Sequence, residues 1–361
     1  MIDTLSTIKP RVRALRAYAL SPDRGLVKIN QNENPWDAPE RVKEETWRRL
    51  AERKWSRYPD FVPTRLHEKL GVFAAWTAAG VIAGNGSNEL IQALLMVTLG
   101  EGKRVLISEP TFALYRQIST VLGAEVLSVP LTQALSYDID AMQKAVMTMD
   151  PDVTIICSPN NPTGCVIPDR DLKHLLAVAR GIVVVDEAYH EFAEHSVVPL
   201  LRAHPNLIVL RTFSKAMALA GLRVGYLLAA PELTHEISKA VLPYNLNVFS
   251  QTAAEVAVEM YDGELRPMVQ KIVSERERLF VELGNIPKLD PVASRGNFLL
   301  VRSAIEPRTV FRQLLQSDIL IRDVSGYPML REYFRVSVGT PEETNKLIAS
   351  LSDMFRAARV G

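Results

Sequence analysis

Short apolar runs punctuate this chain at 104–108, 153–157, 182–185 and 207–210, with further ones at 224–228, 297–301 and 333–338. Most carry β-branched residues and little polar alternation, which suits strands covered on both faces. Between them lie longer stretches with apolar positions three and four apart. The clearest span 39–54, about 87–99, 248–284, 309–315 and the segment from Glu342 onward, and these predict helices. Short apolar strands alternating with helices predict an α/β architecture with a mostly parallel sheet and helices on both faces. The helical signals over 248–284 read as a bridge into a smaller α+β domain. The expected division is an arm over 1–35, a large domain over 36–254 and a small C-terminal domain over 255–361.

Size and composition narrow the picture without choosing a function. At 361 residues the chain exceeds what one compact core usually holds. A net charge of +1 gives no bulk attraction for nucleic acid or an anionic membrane, so neither is expected as a partner. The weakly polar run over 72–83 is too short to span a bilayer. Cys157 and Cys165 form neither a disulfide framework nor a metal pattern, and the first residues lack a signal-peptide pattern. A cytoplasmic protein is expected. The six histidines show no metal spacing, and His190 and His195 are expected on different faces of a helix.

The candidate chemistry gathers at expected strand ends. Lys215 follows the 207–210 run, with hydroxyls at Thr212 and Ser214 and a guanidinium at Arg223. A lysine held there can form a Schiff base with an aldehyde cofactor. The hydroxyls and the arginine suit a phosphate handle. Asp186 and Tyr189 follow the 182–185 run, at the sheet mouth where open α/β sheets place ligands. Asn161 lies in a Pro-rich loop after the 153–157 run, and Phe112 could stack on a ring after the 104–108 run. Upstream, Gly84-Asn-Gly-Ser-Asn-Glu-Leu90 opens a helix. Gly86 permits close approach, Ser87 or Asn88 could cap, and the first-turn N–H groups favour an anion.

Taken together, Asn-Pro-Thr-Gly at 161–164, Asp-x-x-Tyr at 186–189 and Ser-Lys followed by Gly-Leu-Arg at 221–223 resemble the fold type I pyridoxal-phosphate aminotransferases. The Asn-Gln-Asn-Glu-Asn-Pro segment at 30–35 and Arg-Tyr-Pro at 57–59 are similar to histidinol-phosphate aminotransferases in particular. The resemblance runs from about residue 18 to residue 340. It implies pyridoxal 5'-phosphate bound covalently to Lys215. Asp186 would pair with the ring nitrogen, and Asn161 and Tyr189 would contact the ring oxygen. Gly86, Ser87, Asn88, Ser214 and Arg223, with Thr212, would hold the phosphate. It also implies a homodimer in which Tyr58 serves the other subunit's cofactor.

Substrate residues follow from the same resemblance. Arg335, in Phe-Arg-Val-Ser-Val-Gly-Thr-Pro at 334–341, matches the arginine that binds a substrate carboxylate or phosphate, and Arg322 adds a second cation. Asn32, in the arm loop, and Tyr18 are further candidates. The implied reaction moves an amino group from L-histidinol phosphate to the 2-oxo acid 2-oxoglutarate, in histidine biosynthesis. Two other reactions fit nearly the same motifs: transamination of an aromatic amino acid and decarboxylation of threonine phosphate. A cofactor-sensing regulator would carry a DNA-binding domain ahead of the core, and only about 35 residues precede it here.

Overall fold

The computed structural model describes residues 4–17 and 23–357. Its centre is a seven-stranded sheet. In spatial order the strands are Val81–Gly84, Gly225–Leu228, Leu207–Thr212, Ile182–Asp186, Val153–Cys157, Arg104–Glu109 and Glu125–Pro130. The five from Leu207–Thr212 to Glu125–Pro130 are mutually parallel. Gly225–Leu228 runs antiparallel to both its neighbours, so the sheet is mostly parallel, as expected.

Burial explains the unbroken apolar runs. Ile156, Val183, Val185 and Val209 pack into the core on one face, and Ile155, Val184, Ile208 and Leu210 into the core on the other. Both faces of each central strand are covered, so both sets of alternating positions are apolar. Two strands lack such a run and were not foreseen: Val81–Gly84 at one edge and Glu125–Pro130 at the other.

A second sheet is antiparallel, in the order Arg322–Asp323, Tyr333–Ser337, Phe298–Ser303, Leu289–Val292. Helices Arg266–Gly284 and Pro341–Ala357 supply Leu279, Leu283, Leu347 and Leu351 to the core beside it. The arm joins this region: Val27–Lys28 pairs in parallel with Ile319–Leu320, and Val27 and Ile29 enter the same core. The helical stretch expected over 248–284 is broken. Val248–Glu259 ends, one π-helical turn follows over Tyr261–Leu265, and Arg266–Gly284 begins with Pro267 in its first turn. Proline is accepted in a first turn, where its missing N–H has no helical acceptor.

Other details depart from expectation. The N-cap of Ser87–Thr98 is Gly86, and no side chain caps it. Gly86 takes the left-handed φ of 78° that a side chain would oppose, which places Ser87 and Asn88 inside the first turn. Glu89 reaches back to accept the Asn85 N–H at 2.6 Å. His195 lies beyond the short helix His190–Ala193 and contacts Asp169 at 2.8 Å, so no shared helix governs the two histidines. On the surface, Arg11 pairs with Glu101 at 3.0 Å. Among the described residues, no helix is long and apolar enough to cross a membrane, and no cluster of metal-ligating side chains forms.

Candidate active site

The carboxyl ends of the parallel strands open into a pocket of about 250 Å³. Ser87, Asn88, Phe112, Asn161, Asp186, Tyr189, Thr212, Ser214, Lys215 and Arg223 all line it. Parallel strands deliver their following loops to one edge, so side chains more than a hundred residues apart converge there. From the second sheet and the arm come Arg322, Arg335 and Asn32, which line the same pocket.

At one end gather the residues expected to hold a phosphate. Arg223 has a left-handed φ of 53°, and its Nη1 donates to Ser214 Oγ at 3.2 Å. Thr212 Oγ1 donates to Ser214 Oγ at 3.1 Å. A Cβ on Gly86 would meet Arg223 Nη2 at 2.4 Å, and one on Gly225 would meet the Ser87 nitrogen at 2.3 Å. Both glycines are therefore required for the guanidinium, the hydroxyls and the helix start to sit this close. Amides of a helix first turn, two hydroxyls and an arginine form a donor set suited to a phosphate monoester.

Toward the floor, Asp186 is buried, with Oδ1 accepting the Ala188 N–H at 3.0 Å and Oδ2 accepting the Tyr115 hydroxyl at 2.6 Å. Burial pushes its carboxyl up to about 6, against the pull of those two donors. Tyr189 is buried too, and its hydroxyl oxygen accepts from Asn32 Nδ2 at 3.1 Å and Asn161 Nδ2 at 3.3 Å. Burial raises the Tyr189 phenol above its ordinary range. Lys215 Nζ donates to the Gln31 carbonyl at 2.8 Å and lies 5.9 Å from the centre of the Tyr189 ring. Burial, reinforced by the positive charge of Arg335, brings its ammonium down to about 7. An amine near neutrality is suited to taking and returning a proton. Phe112 forms the side wall, edge-on to Tyr115 with ring centres 5.5 Å apart.

The opposite wall carries the arginines. Arg335 is buried, donating from Nη1 to Asn161 Oδ1 at 2.5 Å and from Nη2 to the Asn30 carbonyl at 2.7 Å. Arg322 is half-buried and is the Cα partner of Arg335 on the neighbouring antiparallel strand. Like charges placed opposite each other destabilise a strand pair, so the arrangement breaks a local rule at the pocket wall. Asn32 joins the halves: its N–H donates to Ser337 Oγ at 2.8 Å, and its Oδ1 accepts the Ser337 hydroxyl at 2.9 Å.

Tyr58 was expected to serve the other subunit's site, and it lies outside this pocket. Tyr58 is 80% exposed, stacked on Tyr244 with ring centres 4.5 Å apart, and is absent from the pocket lining. Tyr18 lies outside the described residues. Conversely, Tyr115, Ser337 and the Gln31 carbonyl had no expected role. Tyr115 had a usable signal, since it follows Phe112 by three positions and so shares its side of the turn. Gln31 acts through its backbone carbonyl, which residue type does not reveal, and Ser337 through the hydroxyl of a common residue.

With this geometry in hand, comparison with known proteins is informative. A family model described as aminotransferase class I and II matches residues 24–351. The chain is 38% identical over 351 residues to a histidinol-phosphate aminotransferase of Chlorobium luteolum, covering 97% of this chain and 98% of the relative. It is 39% identical over 349 residues to the protein of the same name from Chlorobaculum tepidum, covering 96% and 100%. A solved histidinol-phosphate aminotransferase from Sinorhizobium meliloti, in complex with pyridoxal-5'-phosphate, superposes with a TM-score of 0.88 at 23% identity, over 99% of each chain. At that identity the likeness establishes the shared fold.

Proposed function

Because this chain belongs to the aminotransferase class I and II family, among its histidinol-phosphate aminotransferases, we propose that it moves the amino group of L-histidinol phosphate to 2-oxoglutarate, in histidine biosynthesis. It is a pyridoxal-phosphate-dependent enzyme. The observation that carries the donor assignment is the pairing of Arg322 with Arg335 across one strand boundary, facing the pocket that holds Lys215. Two guanidiniums suit a dianionic phosphate better than a single carboxylate.

The residues present fit the cofactor: a phosphate cradle at one end, a buried carboxylate at the floor, an aromatic wall and a lysine. Gly86, Ser87, Asn88, Ser214 and Arg223, with Thr212, would hold its phosphate, and Phe112 would stack on its ring. Asn161 and Tyr189 would contact the ring oxygen, Asp186 the ring nitrogen, and Lys215 would hold it covalently. Bound there, pyridoxal phosphate supplies an aldehyde and an electron sink.

The chain's own residues do the rest. Arg335 and Arg322 hold the donor's phosphate, with Asn32 and Tyr18 as further contacts. Lys215 Nζ, poised near neutrality, would take the proton from the donor's α-carbon and hold it as an ammonium until it is passed on. Asp186 would place its negative charge beside the bound ring nitrogen and favour a positively charged ring. The same pocket takes 2-oxoglutarate for the return half-reaction.

The reading extends to the assembly. The functional unit is a homodimer in which Tyr58 completes the neighbour's phosphate site, and exposed Phe61, Val62, Leu242 and Tyr244 around Tyr58 support a covered face. The arm, large domain and small domain divide at residues 35 and 254, and the enzyme works in the cytoplasm. The deciding experiment supplies the holoenzyme with 2-oxoglutarate and, separately, L-histidinol phosphate, L-phenylalanine or threonine phosphate. Glutamate forming fastest with histidinol phosphate is the expected result. Fast turnover of phenylalanine with inert histidinol phosphate, or carbon dioxide released from threonine phosphate, would overturn it.

A further inference from the structure

Asp186 and Glu187 are adjacent acids in one buried strand end, and they are treated in opposite ways. Glu187 is paired with Arg211 at 2.9 Å, both side chains being almost wholly buried. Asp186 forms no ion pair with any described residue; it receives two neutral donors, the Ala188 N–H and the Tyr115 hydroxyl. Tyr115 is itself fully buried, and its hydroxyl donates to Asp186, with the Cys157 thiol also beside it. A cation beside Asp186 would have neutralised it and competed with any positive ligand. A neutral hydroxyl stabilises the negative charge and leaves it uncompensated.

Resting on the cofactor reading above, we propose that Tyr115 is a positioning residue that keeps the proton shared by Asp186 and the cofactor ring on the ring nitrogen. Asp186 and the ring nitrogen compete for one proton in a dry site. Desolvation favours protonated Asp186, which would leave the ring neutral. The Tyr115 hydroxyl donates more strongly to the ionised carboxylate than to the neutral acid, so it lowers the carboxylate's appetite for that proton. The neighbours do not replace it. The Cys157 thiol is pushed up by burial and stays protonated, and Glu187 adds negative charge that works the other way. Burial also raises the Tyr115 phenol well above its ordinary range, so it remains a donor.

Tyr115→Phe removes one oxygen and keeps the ring that fills the space. The test loads wild type and variant with pyridoxal phosphate labelled with nitrogen-15 in the ring and reads the ring-nitrogen chemical shift. Wild type is expected at the pyridinium value and Tyr115→Phe displaced toward neutral pyridine. Alongside, the dissociation constants of pyridoxal phosphate and of its analogue with a ring C–H in place of the nitrogen are measured. The variant is expected to bind the natural cofactor about tenfold more weakly, the scale of one hydrogen bond to a charged group, and the analogue unchanged. An unchanged nitrogen shift, or equal weakening toward both ligands, overturns the proposal and leaves Tyr115 a packing residue. A wild-type nitrogen already neutral would instead remove the role given to Asp186, and this inference would fall with it.

Discussion

The two walls of the pocket are built on different principles. On the large-sheet side, Asn161, Asp186 and Lys215 come from loops and strand ends that parallel topology sends to one edge. On the other side, Arg322 and Arg335 meet because antiparallel register sets them opposite each other. Topology brings whole loops together and tolerates small shifts along a strand. Register is less forgiving, because a slip of one residue would turn the Arg335 side chain to the other face of its sheet. The first wall is thus robust and generic, as a cofactor shared by many reactions needs. The second depends on a few residues, as substrate choice does.

Removing Lys215 should break the first wall most completely. Lys215→Ala is expected to lower turnover by about 10³-fold or more, on the scale of a lost proton-transfer group, and to abolish the visible band of the lysine-bound cofactor in a spectrum. Arg335→Gln tests the second. Truncating a buried, hydrogen-bonded charge costs about 2–5 kcal/mol, so kcat/KM for the phosphorylated donor should fall by at least about 30-fold in steady-state assays. Arg322→Gln, at a half-buried position, should cost about tenfold for the phosphorylated donor and little for an unphosphorylated one. Cofactor affinity, measured by titration, should stay within about twofold in that variant. A large affinity loss would show that the walls are not separable.

A last prediction concerns stability in place of activity, at the large sheet's own antiparallel edge. His67 Nε2 accepts the Ala83 N–H at 3.2 Å, so only the unprotonated ring keeps that bond. Burial lowers the His67 pKa to about 4, below its unfolded value of about 6.5. The unfolded chain therefore binds the proton more readily. Stability from this group is full above about 6.5 and is lost as pH falls toward about 4, by roughly 3 kcal/mol. Denaturant unfolding of wild type and His67→Gln across that window should show the slope shrinking in the variant.

Legibility in the sequence followed the same division. The strand over 153–157 was readable to the residue, because a strand covered on both faces has no polar positions to blur its ends. Val81–Gly84 was not, because Ala83 and Gly84 carry no strand signature and the antiparallel pairing with Gly225–Leu228 is tertiary. Leu289–Val292 was hidden by Pro291, which an edge strand accepts. In the pocket, side chains with distinctive chemistry were foreseen, as with Lys215 and Asp186. Contacts made by common groups were not: the Tyr115 hydroxyl, Ser337 and the Gln31 carbonyl are ordinary until the fold brings them in.

The short parallel pairing of Val27–Lys28 with Ile319–Leu320 joins nearly opposite ends of the chain. Asn32 and Ser337 repeat the connection with side chains. During synthesis the arm emerges long before its partners, which follow it by almost three hundred residues. The large sheet can assemble from strands close in sequence, while the arm must wait for the C-terminal strands before it settles. The loop that carries Asn30, Gln31 and Asn32 into the pocket is therefore fixed late, and the site matures only after the strands at 319–320 and 333–337 are in place.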